Sequence, residues 1–472
     1  MPRRAKTETA KKERNAKQQH NPNFQEEHFV APFPVLAFHP SESLVALAYG
    51  KSVRICNPST GSLASPTADE DKLQHSETIR TLAFSENGEF LVSAGDDKLV
   101  KVWKTADWKC SSTWRSPKKV SSIAFSKDGK WVFFSNKFGE VHAGTCSSAP
   151  PPQDAEASST GASSEPPLGY LLFGHCCSIV TDTKVTSDGK YLISADRDEK
   201  IRVSKVPREP EKGAHEIQSY CLGHRSFVSC LAIPSNIGAS RLLSAGGDGT
   251  VRLWCPEDGT LLDTLALTEG ARALTEGDAE DADEDPACSA VVAMATGAGG
   301  VVAVLLERSP DVFLMQLESV GDGHRLVLRQ RLRCSPILAP CSVTFDLQQR
   351  IWVAGLSSVK TAEEDQDTGS ESVTLFVASP TGNTGAAEEP LYKPLTTADL
   401  SIGDKRVLPM HQVAQSLGAC FGSLSTTALE LEEEGMTVGG PVPLMGGLTK
   451  RKISEAEREK NKANRLDKRM KT

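Results

Sequence analysis

One pattern returns along this chain and limits what it can become. An apolar run leads to a polar turn, a second apolar run, a tight turn bearing Asp or Gly, and a third apolar run. It reads TLAFSENGEFLVSAGDDKLVKVW up to Trp103, SIAFSKDGKWVFFSNKFGEVHAG up to Gly144, DTKVTSDGKYLISADRDEKIRVS up to Ser204 and CLAIPSNIGASRLLSAGGDGTVRLW up to Trp254. A weaker copy, VLAFHPSESLVALAYGKSVRICN, ends at Asn57. Such a period belongs to architectures in which each unit buries its apolar face against the next.

Within a unit the three runs read as short strands. The turns between them, Glu86-Asn87-Gly88, Lys127-Asp128-Gly129, Ser187-Asp188-Gly189, Asp96-Asp97-Lys98 and Gly247-Asp248-Gly249, carry residues that accept hairpin and left-handed geometry. A spacing of about 40 residues, with four strands per unit, is the signature of a β-propeller. CSAVVAMATGAGGVVAVLLE with DVFLMQL supplies a sixth unit, and SVTFDLQQRIWVAGLSS with ESVTLFVASP a seventh. The expected fold is all-β, a seven-bladed WD-repeat β-propeller over 28–398, with residues 28–33 as a candidate closing strand. Insertions are expected at 147–167 (rich in Ser, Pro, Ala and Glu), at 269–286 (strongly acidic) and at 361–372. They read as solvated loops. Outside the propeller, 1–27 reads as a disordered basic tail. Residues 399–472 read as an irregular region with a candidate helix over 455–469 behind a Ser454–Glu457 capping box.

The charge is divided. Residues 1–20 carry +5 and residues 450–472 carry +6, so a net charge of −8 leaves −19 for the body between them. Hydrophobic residues make up only 39% and aromatics 6%, which fits a folded body diluted by polar segments. The twelve cysteines show no metal-ligand spacing and read as reduced thiols. The basic N-terminus has no apolar run behind it, so it is not read as a secretory signal. No stretch reaches the roughly 18 apolar residues of a transmembrane helix.

Three units carry a polar set suited to a buried hydrogen-bond chain: His75, Ser93, Asp97 and Trp103; His175, Ser194 and Asp198, with Ser204 where Trp would stand; and His224, Ser244, Asp248 and Trp254. The set resembles a Ser-His-Asp triad in composition. A triad is defined by geometry and role, and repetition in three units favours a structural purpose. Gly297-Ala298-Gly299-Gly300 resembles a nucleotide-binding loop, but a β-like run follows it rather than a helix, so it reads as a hairpin turn. No catalytic motif stands out, no metal site is expected, and no cofactor is expected in this chain.

The fourth unit is unusual. Six charged residues lie between Asp196 and Arg202, more than a turn needs. By repeat alignment Asp198 matches Asp97 and Asp248, and Arg202 matches Lys101 and Arg252. Arg197, Glu199 and Lys200 have the least structural reason to be charged. Mixed charge on a blade surface suits a specific protein contact.

SADRDEKIRVS, followed by CLGHRSFVS and LLSAGGDGTVRLW, closely resembles the WD-repeat non-catalytic subunit of tRNA (guanine-N(7)-)-methyltransferase. The resemblance is strong over 168–256, moderate over 80–145 and faint elsewhere. It implies a propeller bound as a heterodimer to a separate catalytic subunit, which carries S-adenosylmethionine and methylates a guanine in the tRNA variable loop. It also implies that Arg197, Asp198, Glu199, Lys200 and Arg202 contact that subunit. The expected setting is the nucleus, with the cytoplasm as a second compartment. The basic residues Lys450, Arg451, Lys452, Arg465, Lys468 and Arg469 suit phosphate contacts through counterion release. Nuclear import and simple solubilisation are equal alternatives for them. A scaffold or adaptor role in another complex, such as ubiquitin ligation or ribosome assembly, stays open, since propellers host many partners.

Overall fold

Short apolar runs, punctuated by Asn-Gly and Asp-Gly turns, produce antiparallel strands, of which those at Phe90–Gly95, Tyr191–Asp196 and Leu242–Gly246 are buried along nearly their whole length. The computed structural model describes residues 34–57, 74–147, 165–176, 178–234, 241–267, 290–307, 309–320, 323–334, 337, 339–358, 371–381 and 391–394. All belong to the unit Pro32–Pro443; the other unit, Met1–Ala31 with Leu444–Thr472, holds no described residue.

Seven sheets follow one another in chain order, each an antiparallel meander. The first has three described strands, β1 (Val35–Phe38), β2 (Val45–Tyr49) and β3 (Ser52–Cys56). The second holds β4 (Ile79–Phe84), β5 (Phe90–Gly95), β6 (Leu99–Lys104) and β7 (Cys110–Arg115). The third holds β8 (Val120–Phe125), β9 (Trp131–Asn136), β10 (Glu140–Thr145) and β11 (Tyr170–Gly174). The fourth holds β12 (Val180–Val185), β13 (Tyr191–Asp196), β14 (Lys200–Lys205) and β15 (Ile217–Leu222). The fifth holds β16 (Val228–Ala232), β17 (Leu242–Gly246), β18 (Thr250–Trp254) and β19 (Leu261–Ala266). The sixth holds β20 (Val291–Thr296), β21 (Val301–Leu306), β22 (Asp311–Val320) and β23 (Gly323–Arg333). The seventh holds β24 (Ala339–Phe345), β25 (Ile351–Ser358), β26 (Glu371–Pro380) and β27 (Tyr392–Pro394).

The core is divided among the junctions between sheets. Val92, Val100 and Val102 pack with Val120, Val132 and Phe134 between the second and third. Leu243, Val251 and Leu253 pack with Val302, Phe313 and Met315 between the fifth and sixth. The ring closes where Leu36, Val45 and Leu47 of the first sheet meet Trp352 and Ala354 of the seventh, and Leu36 N donates to Ser342 Oγ at 3.1 Å. Each fully buried aliphatic or aromatic side chain contributes about 1.5–3 kcal/mol, so every junction is held chiefly by apolar burial. Polar stitches set its register: Asp182 accepts from Ser122 Oγ at 2.7 Å and from Leu231 N at 2.8 Å, joining three consecutive blades.

The expected seven-bladed propeller is observed. Ala298–Gly300 forms a short 3-10 turn between β20 and β21, a hairpin as expected. Glu371 and Ser372, assigned to an insertion, instead begin β26, where Ser372 pairs with Ser357. The closing strand at 28–33, the tail 1–27, the acidic insertion 269–286 and the region 399–472 with its candidate helix lie outside the described residues.

Candidate partner-binding surface

In the second, fourth and fifth blades a polar set ties the second strand and the turn after it to the His that precedes the first strand. His75 Nδ1 lies 2.7 Å from Asp97 Oδ2 and His75 Nε2 2.8 Å from Ser93 Oγ, while Trp103 Nε1 donates to the same oxygen at 3.0 Å. A carboxylate only accepts, so His75 donates from Nδ1, and Ser93 Oγ accepts from Trp103. The fifth blade repeats the chain: His224 to Asp248 at 2.9 Å, His224 to Ser244 at 2.7 Å and Trp254 to Ser244 at 2.8 Å. Ser93, Ser194 and Ser244 are fully buried, so no substrate reaches their hydroxyls. Burial pushes the Asp97 carboxyl up, but the hydrogen bond and charge of His75 and the amides of Leu99 and Ser76 outweigh it and hold it below the usual range. His224 does the same at Asp248, again against burial.

The fourth blade departs from the expected set. His175 Nδ1 bonds Asp196 Oδ2 at 2.9 Å, and His175 Nε2 lies 2.8 Å from Ser194 Oγ. Asp198, assigned this role by repeat alignment, does not fill it. Asp196 stands at the end of β13, where the second and fifth blades have Gly95 and Gly246. From there its Oδ1 also accepts the amides of Asp198 at 2.9 Å and Lys200 at 3.0 Å. Asn136 holds the third-blade turn in the same way, accepting from Phe138 and Glu140. The Asp198 side chain is therefore released to solvent, where it is exposed.

The missing third-strand Trp is also compensated. Ser204 stands where Trp103 and Trp254 stand in their blades. Phe173, on β11 of the preceding blade, sits 6.2 Å from the His175 ring, much as Trp254 sits 6.3 Å from His224. The Arg202 guanidinium lies 4.0 Å from the Phe173 ring centre, and its Nε donates to Ser204 Oγ at 2.9 Å. Burial lowers the Arg202 pKa, with Tyr220 opposing. Arg202 is thus partly structural, whereas Lys200 is exposed and Arg197 and Glu199 half-buried. Glu199 takes the left-handed conformation, φ +73°, where the third and fifth blades use Gly139 and Gly249. A side chain there costs about 1–2 kcal/mol.

The structure adds two residues that the sequence reading left out. On the outer strand β15, Leu222 pairs with Lys200 and Tyr220 with Arg202. Directly opposite residues share a face, so two apolar side chains, 62% and 44% exposed, flank the charged turn. Their signal in sequence was the alternation around buried Cys221, obscured because Leu222 adjoins the common Gly223-His224 pair. The basic residues Lys450, Arg451, Lys452, Arg465, Lys468 and Arg469 lie outside the described residues. Among the described residues no group of His, Cys, Asp or Glu is arranged to hold a metal ion, and no helix is long and apolar enough to cross a membrane.

The chain is similar to known proteins. The chain is 33% identical over 279 residues to the tRNA (guanine-N(7)-)-methyltransferase non-catalytic subunit wdr4 of Danio rerio, covering 59% of this chain and 60% of that protein. It is 30% identical over 281 residues to the Homo sapiens subunit of the same name, covering 59% and 60%. The chain thus matches about three fifths of the length of these relatives. Two solved propellers share the fold: U3-55K, with TM-score 0.50, 20% identity and coverage of 68% and 88%, and the Cps50 (Swd1) β-propeller domain of Myceliophteria thermophila, with TM-score 0.52, 15% identity and coverage of 69% and 93%. The pattern of the family described as the tRNA methyltransferase TRM82 WD40 domain matches residues 2–168 and 153–376. With both the propeller and this match extending across most of its length, the chain belongs to the tRNA methyltransferase TRM82 WD40 domain family.

Proposed function

We propose that this chain is a non-catalytic subunit that binds and stabilises the catalytic subunit of a tRNA (guanine-N(7)-)-methyltransferase, and that the pair forms N(7)-methylguanosine in the tRNA variable loop. S-adenosylmethionine belongs on the catalytic partner in this reading. The observation that carries it is the fourth-blade turn: Asp196 takes the histidine-bonding role and leaves the Asp198 side chain exposed, and exposed Lys200 pairs with exposed Leu222, within a chain of this family. Charges beside exposed apolar side chains fit a specific protein contact, in which the apolar groups supply affinity and the charges supply register and on-rate. The buried His-Ser-Asp chains support a scaffold rather than a catalyst.

The test compares tRNA guanine-N(7) methylation by this chain, by its candidate catalytic partner, and by the two co-expressed. The expected result is activity only, or much higher, in the co-expressed sample. Equal activity with and without this chain would overturn the reading.

A further inference from the structure

We propose that the tip of the third blade, Phe138 with Lys118, Lys119 and Lys137, is a contact surface for RNA carrying unpaired bases. Phe138 is 65% exposed, yet it stands on a firmly held turn. Asn136 Oδ1 accepts the amides of Phe138 at 2.8 Å and Glu140 at 3.2 Å, Gly139 takes φ +91°, and the Lys137 amide donates to Lys119 O at 3.0 Å. The ring is displayed by its support.

Lysines stand on this turn and on the segment bonded to it. Lys118 Nζ lies 4.9 Å from the ring centre. Lys119 is exposed, 3.8 Å from Glu77 and 3.9 Å from Asp96, and Arg80 is bonded to Asp96 behind it. The acid of the turn, Glu140, is engaged by Asn136 Nδ2 and His142. Burial lowers the Lys137 pKa; Asp96 opposes this, while Arg80 and Lys119 add to it by repulsion. A phosphate at this point relieves that repulsion, on a body that otherwise carries a large negative charge.

One rigid aromatic face among lysines matches the chemistry of unpaired RNA. Bases stack on the ring and phosphates meet the ammonium groups. A protein-docking patch would carry more apolar surface around the ring. The tip is continuous with the fourth-blade turn: His175 N donates to Gly139 O at 2.7 Å, and His175 in turn bonds Asp196. RNA held here lies beside whatever docks on the fourth blade. That this RNA is the methylation substrate rests on the function proposed above; the binding chemistry does not.

The test is direct binding of the full chain, without partner, to a fluorescein-labelled tRNA transcript and to a blunt RNA duplex of equal length. All variants keep the basic tails, so differences report the tip. Phe138→Ala and Phe138→Leu, with melting temperatures checked, are expected to weaken tRNA binding about tenfold and to leave the duplex unchanged, since stacking needs a ring and a free base. Lys118→Ala/Lys119→Ala/Lys137→Ala is expected to lower the log–log salt slope by about 2. Folded variants with parental affinity and slope would overturn the proposal. So would variants that bind RNA normally but lose the catalytic subunit, which would make the tip a protein contact. Failure here with intact co-dependence of methylation leaves the subunit function standing, so the two readings are tested separately.

Discussion

His175 Nδ1 lies 2.9 Å from Asp196 Oδ2, and the other oxygen of the same carboxylate holds the amides of Asp198 and Lys200. One buried group therefore supports the fourth-blade turn, and the exposed Asp198 and Lys200 side chains are not needed to hold it. Asp196→Ala is expected to destabilise the protein by roughly 1–3 kcal/mol for each buried partner it orphans. Asp198→Ala is expected to stay within about 0.5 kcal/mol of the parent and to weaken binding of the catalytic subunit. Urea melts of both variants check this, with binding measured on the folded ones. A low melting midpoint for Asp198→Ala and a parental one for Asp196→Ala would reverse the assignment.

Lys200 and Arg202 should separate affinity from stability. Lys200 is exposed beside Leu222, so Lys200→Glu is expected to keep the parental melting midpoint and lose about tenfold or more in partner affinity. Arg202 rests on Phe173 and bonds Ser204, so Arg202→Glu is expected to lose affinity and stability together. Paired melting and binding curves decide the matter. If both variants melt like the parent, the packing assigned to Arg202 is unimportant.

The same contrast shows what could be read in advance. Strand order, turn positions and the complete sets around His75 and His224 were legible, because local pattern and three-dimensional role coincide there. The fourth-blade set was not, because alignment by spacing assumes that the turn Asp stays four residues after the Ser. Asp196, two residues after Ser194, reaches the histidine first by replacing a glycine. Nor could spacing reveal aromatic groups donated across a blade boundary. Phe173 belongs to one repeat and fills a vacancy in the next. Tyr220 and Leu222 became visible as surface only when register placed them against Arg202 and Lys200.

A second donated aromatic makes this testable. In the third blade Gly144 stands opposite Val132, as Trp103 stands opposite Leu91. A Cβ on Gly144 would sit 2.6 Å from the Trp114 ring, which comes from β7 of the second blade. Trp114 is fully buried, and its Nε1 donates to Thr145 O at 3.0 Å. Trp114→Ala is expected to cost about 3–5 kcal/mol, and Gly144→Trp alone to destabilise by overpacking. The double variant Trp114→Ala/Gly144→Trp is expected to recover part of both losses, since the ring then enters from its usual strand. Strictly additive losses in urea melts would show that the two positions do not share one space.

The His–Asp chains predict a pH dependence with a definite sign. Burial raises the Asp248 carboxyl, but the hydrogen bond and charge of His224, with the Arg225 amide and Thr250, lower it further than burial raises it. The folded state thus binds fewer protons at Asp248 than the unfolded state. Its contribution is complete above the unfolded carboxylate value of about 3.9 and is lost as pH falls through the lower folded value. Asp248→Asn removes that carboxylate, so at pH 7 it is expected to melt earlier than the parent by about 1–3 kcal/mol. The gap is expected to hold down to about pH 5 and to narrow below about pH 4. Urea melts of parent and variant at pH 7, 5, 4 and 3 measure it. A gap of constant size down to pH 3, or one that widens as acid is added, would mean that His224 does not hold Asp248 as a carboxylate in the folded blade.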